Sequence, residues 1–277
     1  MTDRRMTPAT DRVALSSLRD VMMREIYTDG EPARVSVPVA DLLAQPDGAR
    51  DRQLNFGADV TIIEKRGDLA FVQAVRDGYC GWIRQADLTD QRPRITHRVS
   101  APATHIYAGP DIKQRETGFL SLNARLSVVG TEGRFAQLAE GGWVPLQSIS
   151  DGFASDPVEA AESLIGTPYL WGANSRQGID CSGLVQAALH GCGLACPGDS
   201  DLQRAAFAEV EDMRRGDLLF WPGHVAMVCG DGRMIHATAW QMRVIHEDID
   251  SAIARIDAAG DGPFLGINRP GREEISF

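Results

Sequence analysis

No run of apolar residues in this sequence approaches the roughly 20 that a membrane-spanning helix requires. The N-terminus reads Met-Thr-Asp-Arg-Arg-Met-Thr-Pro over residues 1–8. It meets charge before any apolar stretch develops, whereas a secretory signal needs an unbroken one behind its basic residues. As written, the chain is expected in the cytoplasm and off the membrane. Positive charge is also short, since 28 Lys and Arg against 38 Asp and Glu leave a formal net charge of −10. Nucleic acid and anionic lipid are bound through clustered Lys and Arg, so neither is expected as a partner, and small soluble ligands fit better. Cysteine is sparse. Cys80, Cys181, Cys192, Cys196 and Cys229 are odd in number and scattered, which excludes the dense disulfide framework of a small secreted scaffold. Cys192 and Cys196 have metal-like spacing, but no second pair stands at zinc-ligand spacing. They read as buried or idle thiols, and no metal or cofactor is expected.

What is present is an ordinary globular mixture, 43% hydrophobic and 24% charged, which sets aside disorder, coiled coil and collagen. At 277 residues the chain can hold one large core or two to three small domains. Its first half contains a repeat. Val37-Pro-Val-Ala-Asp-Leu-Leu-Ala-Gln-Pro-Asp47 is similar to Ala101-Pro-Ala-Thr-His-Ile-Tyr-Ala-Gly-Pro-Asp111, 64 residues further on. Each copy leads to an alternating run, Asp59-Val-Thr-Ile-Ile-Glu-Lys65 and Arg125-Leu-Ser-Val-Val-Gly-Thr131, and closes on Gly81-Trp82 or Gly142-Trp143. Short period-2 segments punctuated by Gly, Asp and Pro predict small antiparallel β units, here over residues 33–91 and 92–151. Residues 1–32 stand before them. Leu15, Leu18, Met22 and Ile26 have helical spacing, while Val13 and Ser16-Ser17 suit a strand, and both readings stay open.

Residues 152–277 begin with a helix signature. Asp156 is an N-cap acid, Pro157 takes the first helical position and Glu159 stands three residues after the cap. This helix is predicted to run to about Ile165 and stop before Gly166-Thr167-Pro168. A second is predicted from Asp180-Cys181, carrying Leu184, Val185, Ala188 and Leu189 into a core and ending by Gly193. From residue 216 the pattern turns to strands at 217–221, 224–229, 234–237 and 264–268. Helices followed by an antiparallel sheet give the α+β order.

Cys181 stands at the predicted start of a helix, in Gly178-Ile-Asp-Cys-Ser-Gly183. Unpaired N–H groups and the helix dipole favour an anion there, so its thiol pKa is expected to be lowered toward the reactive thiolate. A cysteine alone is more often a small buried residue, so a base is required. His224 and His236 flank Gly230-Asp231-Gly232, which reads as a hairpin turn. A two-residue turn would pair Met227 with His236 and put the two histidines on opposite faces. A three-residue loop, or an equivalent bulge, pairs Ala226 with His236 and puts both rings on one face, as diagonal neighbours about 7–8 Å apart at the backbone. The loop or bulge is therefore predicted. A metal pair is the weaker alternative, because the histidines are 12 apart and lack an accompanying acid motif such as His-Glu-x-x-His.

Four segments then carry a family resemblance: Thr167-Pro-Tyr-Leu-Trp-Gly172, Asp180-Cys-Ser-Gly183, Gly216-Asp-Leu-Leu-Phe-Trp221, and Gly223-His-Val-Ala-Met-Val-Cys-Gly-Asp-Gly-Arg-Met-Ile-His-Ala237. In order and spacing they resemble the NlpC/P60 family of papain-like cysteine peptidases. The resemblance implies an α+β papain-like catalytic domain over 152–277, and the repeats at 33–91 and 92–151 resemble two small all-β SH3-like barrels. It assigns Cys181 as nucleophile, His224 as base and His236 as the third, orienting residue. It places Tyr169 near the oxyanion, where a hydroxyl donor is commonly worth a few kcal/mol in the transition state, while Trp171 reads as packing. It also draws Ser182, beside the nucleophile, and the loop Pro197-Gly-Asp-Ser200 toward the substrate, with Asp199 and Ser200 reading an amine. Gly198 stands where Arg is common in the family and Ala173 where a second Gly is common, and the first departure bears on that loop. Tyr79, in Gly78-Tyr-Cys-Gly81, resembles an aromatic that the first module leans into the cleft, with core packing as the alternative.

The architecture resembles γ-D-glutamyl-L-diamino-acid endopeptidases, which implies hydrolysis of the bond after γ-D-Glu in small cell-wall peptides bearing a free N-terminal L-Ala, in murein peptide recycling. An acidic protein attracts a free amine. Three alternatives remain: a secreted hydrolase of intact stem peptides, an SH3-type binding protein with a spent catalytic domain, and a metal hydrolase using His224 and His236.

Overall fold

The repeated sequence pattern becomes a repeated strand order. In the computed structural model, which describes residues 3–275, the strands Arg50–Asn55, Val39–Leu43, Cys80–Arg84, Leu69–Ala74 and Asp59–Arg66 lie side by side in that order. Glu116–Ser121, Ala103–Tyr107, Trp143–Pro145, Phe135–Leu138 and Val128–Glu132 repeat it. Glu31–Val35 and Leu88–Thr89 extend the first sheet. The closing Gly-Trp motif packs across strands. Trp82 pairs with Phe71, and their rings meet at 5.4 Å. Residues 3–30 build strand, not α-helix, because Val13–Leu15 pairs in parallel with Ile26–Thr28. That pairing overrides the helical spacing of Leu15, Leu18, Met22 and Ile26, and single 3-10 turns occupy Arg4–Met6 and Ser16–Leu18.

The chain divides into two compact units. One takes in His97 and the residues before it, 104–120 and 124–146; the other takes in 98–103, 121–123 and everything from Gln147 on. In the second unit, α1 is Pro157–Glu162, α2 Cys181–Gly191, α3 Ser200–Ala206 and α4 Ile249–Ala259. Its sheet is built from β1 (Ala208–Val210), β2 (Leu218–Trp221), β3 (His224–Gly230), β4 (Arg233–Thr238), β5 (Arg243–Asp248) and β6 (Gly266–Arg269). The order is β1-β6-β2-β3-β4-β5, and each neighbouring pair is antiparallel. α1 starts as read, with the Asp156 carboxylate accepting from Val158 N–H at 2.8 Å, but ends at Glu162, three residues before the predicted Ile165.

The central strand β3 is covered on both sides, so its near-continuous apolar run has a physical reason. Val225 and Met227 join Ile235, Ala237 and Val244 beneath α2 residues Leu184, Val185, Ala188 and Leu189. Ala226 and Val228 join Leu219, Trp221 and Met234 beneath Ile249, Ala252 and Ile256 of α4. Sequence reasoning did not foresee α3, β1, β5 or α4.

Candidate active site

Cys181 opens α2 because the residue before it caps the helix. Asp180 Oδ1 accepts from Gly183 N–H at 2.7 Å and from the Ser182 hydroxyl at 3.0 Å, and Oδ2 accepts from Gly172 N–H at 2.8 Å. Glycine at 183 is required by closeness: a Cβ there would stand 2.6 Å from the Ala173 carbonyl oxygen. Ser182 thus belongs to the cap, and its carbonyl accepts from Gln203 Nε2 at 2.9 Å.

The Cys181 thiol is only 6% exposed and donates toward the Gly223 carbonyl at 3.9 Å. The N–H groups of Val225, Ser182 and Cys181 itself favour the sulfur anion, yet burial, followed by the Asp180 carboxylate, pushes the thiol up to about 12. The expected lowering by the helix N-terminus is therefore overturned: desolvation and a neighbouring carboxylate outweigh it. At rest the sulfur is a thiol.

Gly223 and Val225, both against that sulfur, bracket His224. The hairpin that carries it turns through Asp231 and Gly232, with φ of 51° and 70°, the left-handed pair of a two-residue turn. Gly230 pairs with Arg233, but a bulge at Cys229 shifts the ladder so that Val228 faces Met234 and Met227 faces Ile235. The bulge adds the residue that the turn omits, and continuing the ladder sets Ala226 opposite His236. The two imidazoles consequently share a face, with His224 Nε2 and His236 Nδ1 2.9 Å apart. His236 is fully buried, and Trp221 packs on the His224 ring at 5.7 Å between centroids. Burial pushes both histidines down to about 3, aided by the Arg255 guanidinium and, for His224, first by His236. Both are neutral at ordinary pH.

Tyr169 is brought to the same place. Its hydroxyl is pushed up from the usual phenol range by burial and then by the charges of Cys181 and Asp180, so it keeps its proton and can donate. Asp199 stands just before α3, close enough for its charge to push Asp180 upward, and holds the unusual backbone pair φ 55°, ψ 140°. Ser200 lines an open cleft of about 360 Å³ together with Arg204, Trp221, Pro222 and Gly223, which joins that loop to the residue preceding His224. Tyr79 belongs to the all-β unit, where it is 1% exposed and lies under the Arg52 guanidinium at 4.9 Å. Trp171, expected as packing, is instead 67% exposed.

Two residues near the histidines were missed. Glu247 Oε2 lies 3.1 Å from His236 Nε2, and Arg255 clamps that carboxylate with two bonds of 2.8 Å. A signal for α4 existed in Asp248 as N-cap and in the spacing of Ile249, Ala252, Ile253 and Ile256. Glu247 itself had none, since Arg243-Val-Ile-His-Glu-Asp248 does not alternate. Among the described residues, the set with metal-ligand atoms within 4.8 Å of one another is Glu162, Cys229 and His246, which includes neither His224 nor His236. None of the five cysteines is in a disulfide.

Residues 166–256 match the NlpC/P60 family model, and residues 42–88 match the bacterial dipeptidyl-peptidase Sh3 domain. The gamma-D-glutamyl-L-lysine dipeptidyl-peptidase of Bacillus subtilis is 30% identical over 219 residues, covering 69% of this chain and 73% of that protein. Its namesake in Bacillus cereus is 27% identical over 223 residues, 68% of this chain and 67% of that protein. A crystal structure of an NlpC/P60 family protein from Bacillus cereus superimposes with a TM-score of 0.73 at 22% identity, covering 86% of this chain and 99% of the other.

Proposed function

This chain belongs to the NlpC/P60 family of cysteine peptidases, with an SH3-like all-β region ahead of the papain-like domain, and on that premise we propose that it hydrolyses the γ-D-glutamyl–diamino-acid bond of cell-wall peptides bearing a free N-terminal L-Ala. The observation that carries this reading is the match to two gamma-D-glutamyl-L-lysine dipeptidyl-peptidases through about two thirds of the chain. We further propose that its substrates are released fragments, of the kind that peptide recycling delivers to the cytoplasm. A net charge of −10 favours a free amine over an intact anionic wall.

In this reading the chemistry starts from a neutral pair. Burial holds Cys181 as a thiol and His224 as an imidazole, so the proton leaves sulfur as the nucleophile meets the amide carbon. His224 Nε2 is occupied by His236, and Nδ1 is the nitrogen that takes the proton. Sulfur adds to the carbonyl carbon, and the Tyr169 hydroxyl donates to the oxyanion. His224 returns the proton to the departing diamino-acid amine as the C–N bond breaks, leaving a thioester on Cys181. Water, deprotonated by His224, then attacks that thioester, releasing L-Ala-γ-D-Glu and restoring the thiol. Asp199 and Ser200 receive the N-terminal ammonium through charge-assisted bonds.

The test is incubation with L-Ala-γ-D-Glu-diaminopimelate, with and without an N-terminal acetyl cap, of the protein and of Cys181→Ala. The expected result is release of L-Ala-γ-D-Glu by the unsubstituted protein alone, from the uncapped peptide alone. Equal cleavage of the capped peptide overturns the amine pocket, and cleavage by Cys181→Ala overturns the nucleophile.

A further inference from the structure

Behind the two histidines lies a third layer. The β4–β5 ladder pairs His236 with Ile245 and Met234 with Glu247. Directly paired residues share a face and alternate residues return to it, so Glu247 is the diagonal neighbour of His236. Its Oε2 lies 3.1 Å from His236 Nε2, at ion-pair distance, and Nε2 makes no aligned hydrogen bond to any of the described residues. The carboxylate is held from behind. Arg255 Nε donates to Oε1 and Nη2 to Oε2, both at 2.8 Å, and the Arg255 guanidinium is itself stacked on the Trp240 ring at 4.3 Å. A bidentate guanidinium clamp fixes both position and orientation of a carboxylate.

We infer that Glu247, clamped by Arg255, is a positioning residue that sets the tautomers of both histidines and thereby points the lone pair of His224 Nδ1 at the proton of Cys181. The count of protons fixes the direction. A carboxylate only accepts, so a neutral His236 beside it carries its proton on Nε2; the opposite tautomer would set two lone pairs against each other at 3.1 Å. His236 Nδ1 is then an acceptor. The 2.9 Å contact is satisfied only if His224 donates from Nε2, and His224 Nδ1 is left bare. Each link dictates the next, and the end of the chain is the base that cysteine catalysis needs. Glu247 also offsets Arg255, whose positive charge would otherwise oppose the imidazolium formed when His224 takes the proton.

The inference rests on the Cys181–His224 reading, and its test separates the two. Glu247→Gln keeps the shape but can donate to His236 Nε2, which reverses the tautomer. The expected outcome is a kcat on L-Ala-γ-D-Glu-diaminopimelate lower by about 10–100-fold, the size of loss seen when the carboxylate that orients a metal-bound histidine through its second nitrogen is removed, with KM unchanged. Glu247→Asp keeps the charge and is expected to lose less. Independently, ¹⁵N resonances of the imidazoles in the unsubstituted protein should show both histidines protonated at Nε2, a readout that needs neither a substrate nor a folded variant. Wild-type kcat in Glu247→Gln, a larger loss in Glu247→Asp, or a His236 protonated at Nδ1 overturns the inference. A protein that leaves this peptide intact yet shows the Nε2 tautomers overturns the proposed substrate and sustains the relay.

Discussion

His224 Nε2 stands 2.9 Å from His236 Nδ1, a separation at which two neutral imidazoles attract only if one of the facing nitrogens carries a proton. The pair is therefore directional. Its direction follows from what lies at each end, a thiol on the side of His224 and a carboxylate on the side of His236.

An acceptor at the position of His236 Nδ1 is what His224 requires, and asparagine supplies one at nearly the same distance from its backbone. His236→Asn can still accept from His224 Nε2–H through Oδ1, the arrangement of Cys-His-Asn peptidases, whereas His236→Ala leaves that proton unsatisfied in a buried site. We expect kcat to fall by about 100-fold or more in the alanine variant, within the range of a disabled general base. The asparagine variant should retain at least several times more activity than alanine. Steady-state kinetics of the two variants on the uncapped peptide checks this, and equal losses would show that burial alone explains His236.

The same two histidines make acid costly. Both are held down to about 3 by burial, while in the unfolded chain each titrates near 6.5. Above that pH neither state binds the protons, and the pair contributes nothing to the pH dependence. Between about 6.5 and 3 the unfolded chain takes up two protons that the folded chain refuses, so unfolding is favoured as pH falls. The slope is at most about 2.7 kcal/mol per pH unit for two groups. Denaturant midpoints at pH 7 and pH 5 should show this fall, and His236→Asn, which removes one of the groups, should show a shallower one.

Gly183 is where the cap, the helix and the loop before it meet. A Cβ there would sit 2.6 Å from the Ala173 carbonyl and 3.1 Å from Asp180 Oδ1, and backbone oxygen cannot step aside as a side chain does. Gly183→Ala is expected to cost about 1–3 kcal/mol, as overpacking commonly does. Displacement of Cys181 should lower kcat beyond what the stability loss explains, since small misplacements of a nucleophile can cost about 100-fold. Comparing the denaturation midpoint with the activity of the folded fraction separates the two effects.

How much of this was readable in advance depends on where the physics was local. The α2 start could be read because capping lies within three residues: Asp180 before Cys181, Gly183 after it. The hairpin could be read because register is a parity argument, and the bulge at Cys229 is one of the two solutions that parity permits. The thiol's direction could not be read, since helix-end electrostatics is local while the burial that reverses it comes from strands more than 40 residues away, as the Cys181–Gly223 contact shows. Glu247 lay outside reach for the same reason: its role exists only through the β4–β5 pairing. The strand Arg243–Asp248 was not read, because charge interrupts its period-2 pattern, although the helix that follows carries both a cap and an apolar face.

Asp199 offers the prediction in which stability and activity should part. Its φ of 55° with ψ of 140° falls in a region that only glycine enters freely, and a non-glycine residue held outside the common regions costs about 1–3 kcal/mol. Such strain persists where something other than stability holds it. Asp199→Gly should therefore raise the denaturant midpoint, while removing the carboxylate proposed to receive the substrate ammonium. A charge-assisted hydrogen bond is worth about 1.5–3 kcal/mol, so kcat/KM on the free-amine peptide should fall roughly 10–150-fold. Asp199→Asn keeps the backbone demand but loses the charge, and should show the same kinetic loss without the gain in stability. The capped peptide, which has no ammonium to receive, should be cleaved equally poorly by all three proteins. A stabilised Asp199→Gly that retained full preference for the free amine would move the amine pocket elsewhere in the cleft and leave the strain at Asp199 without a role in recognition.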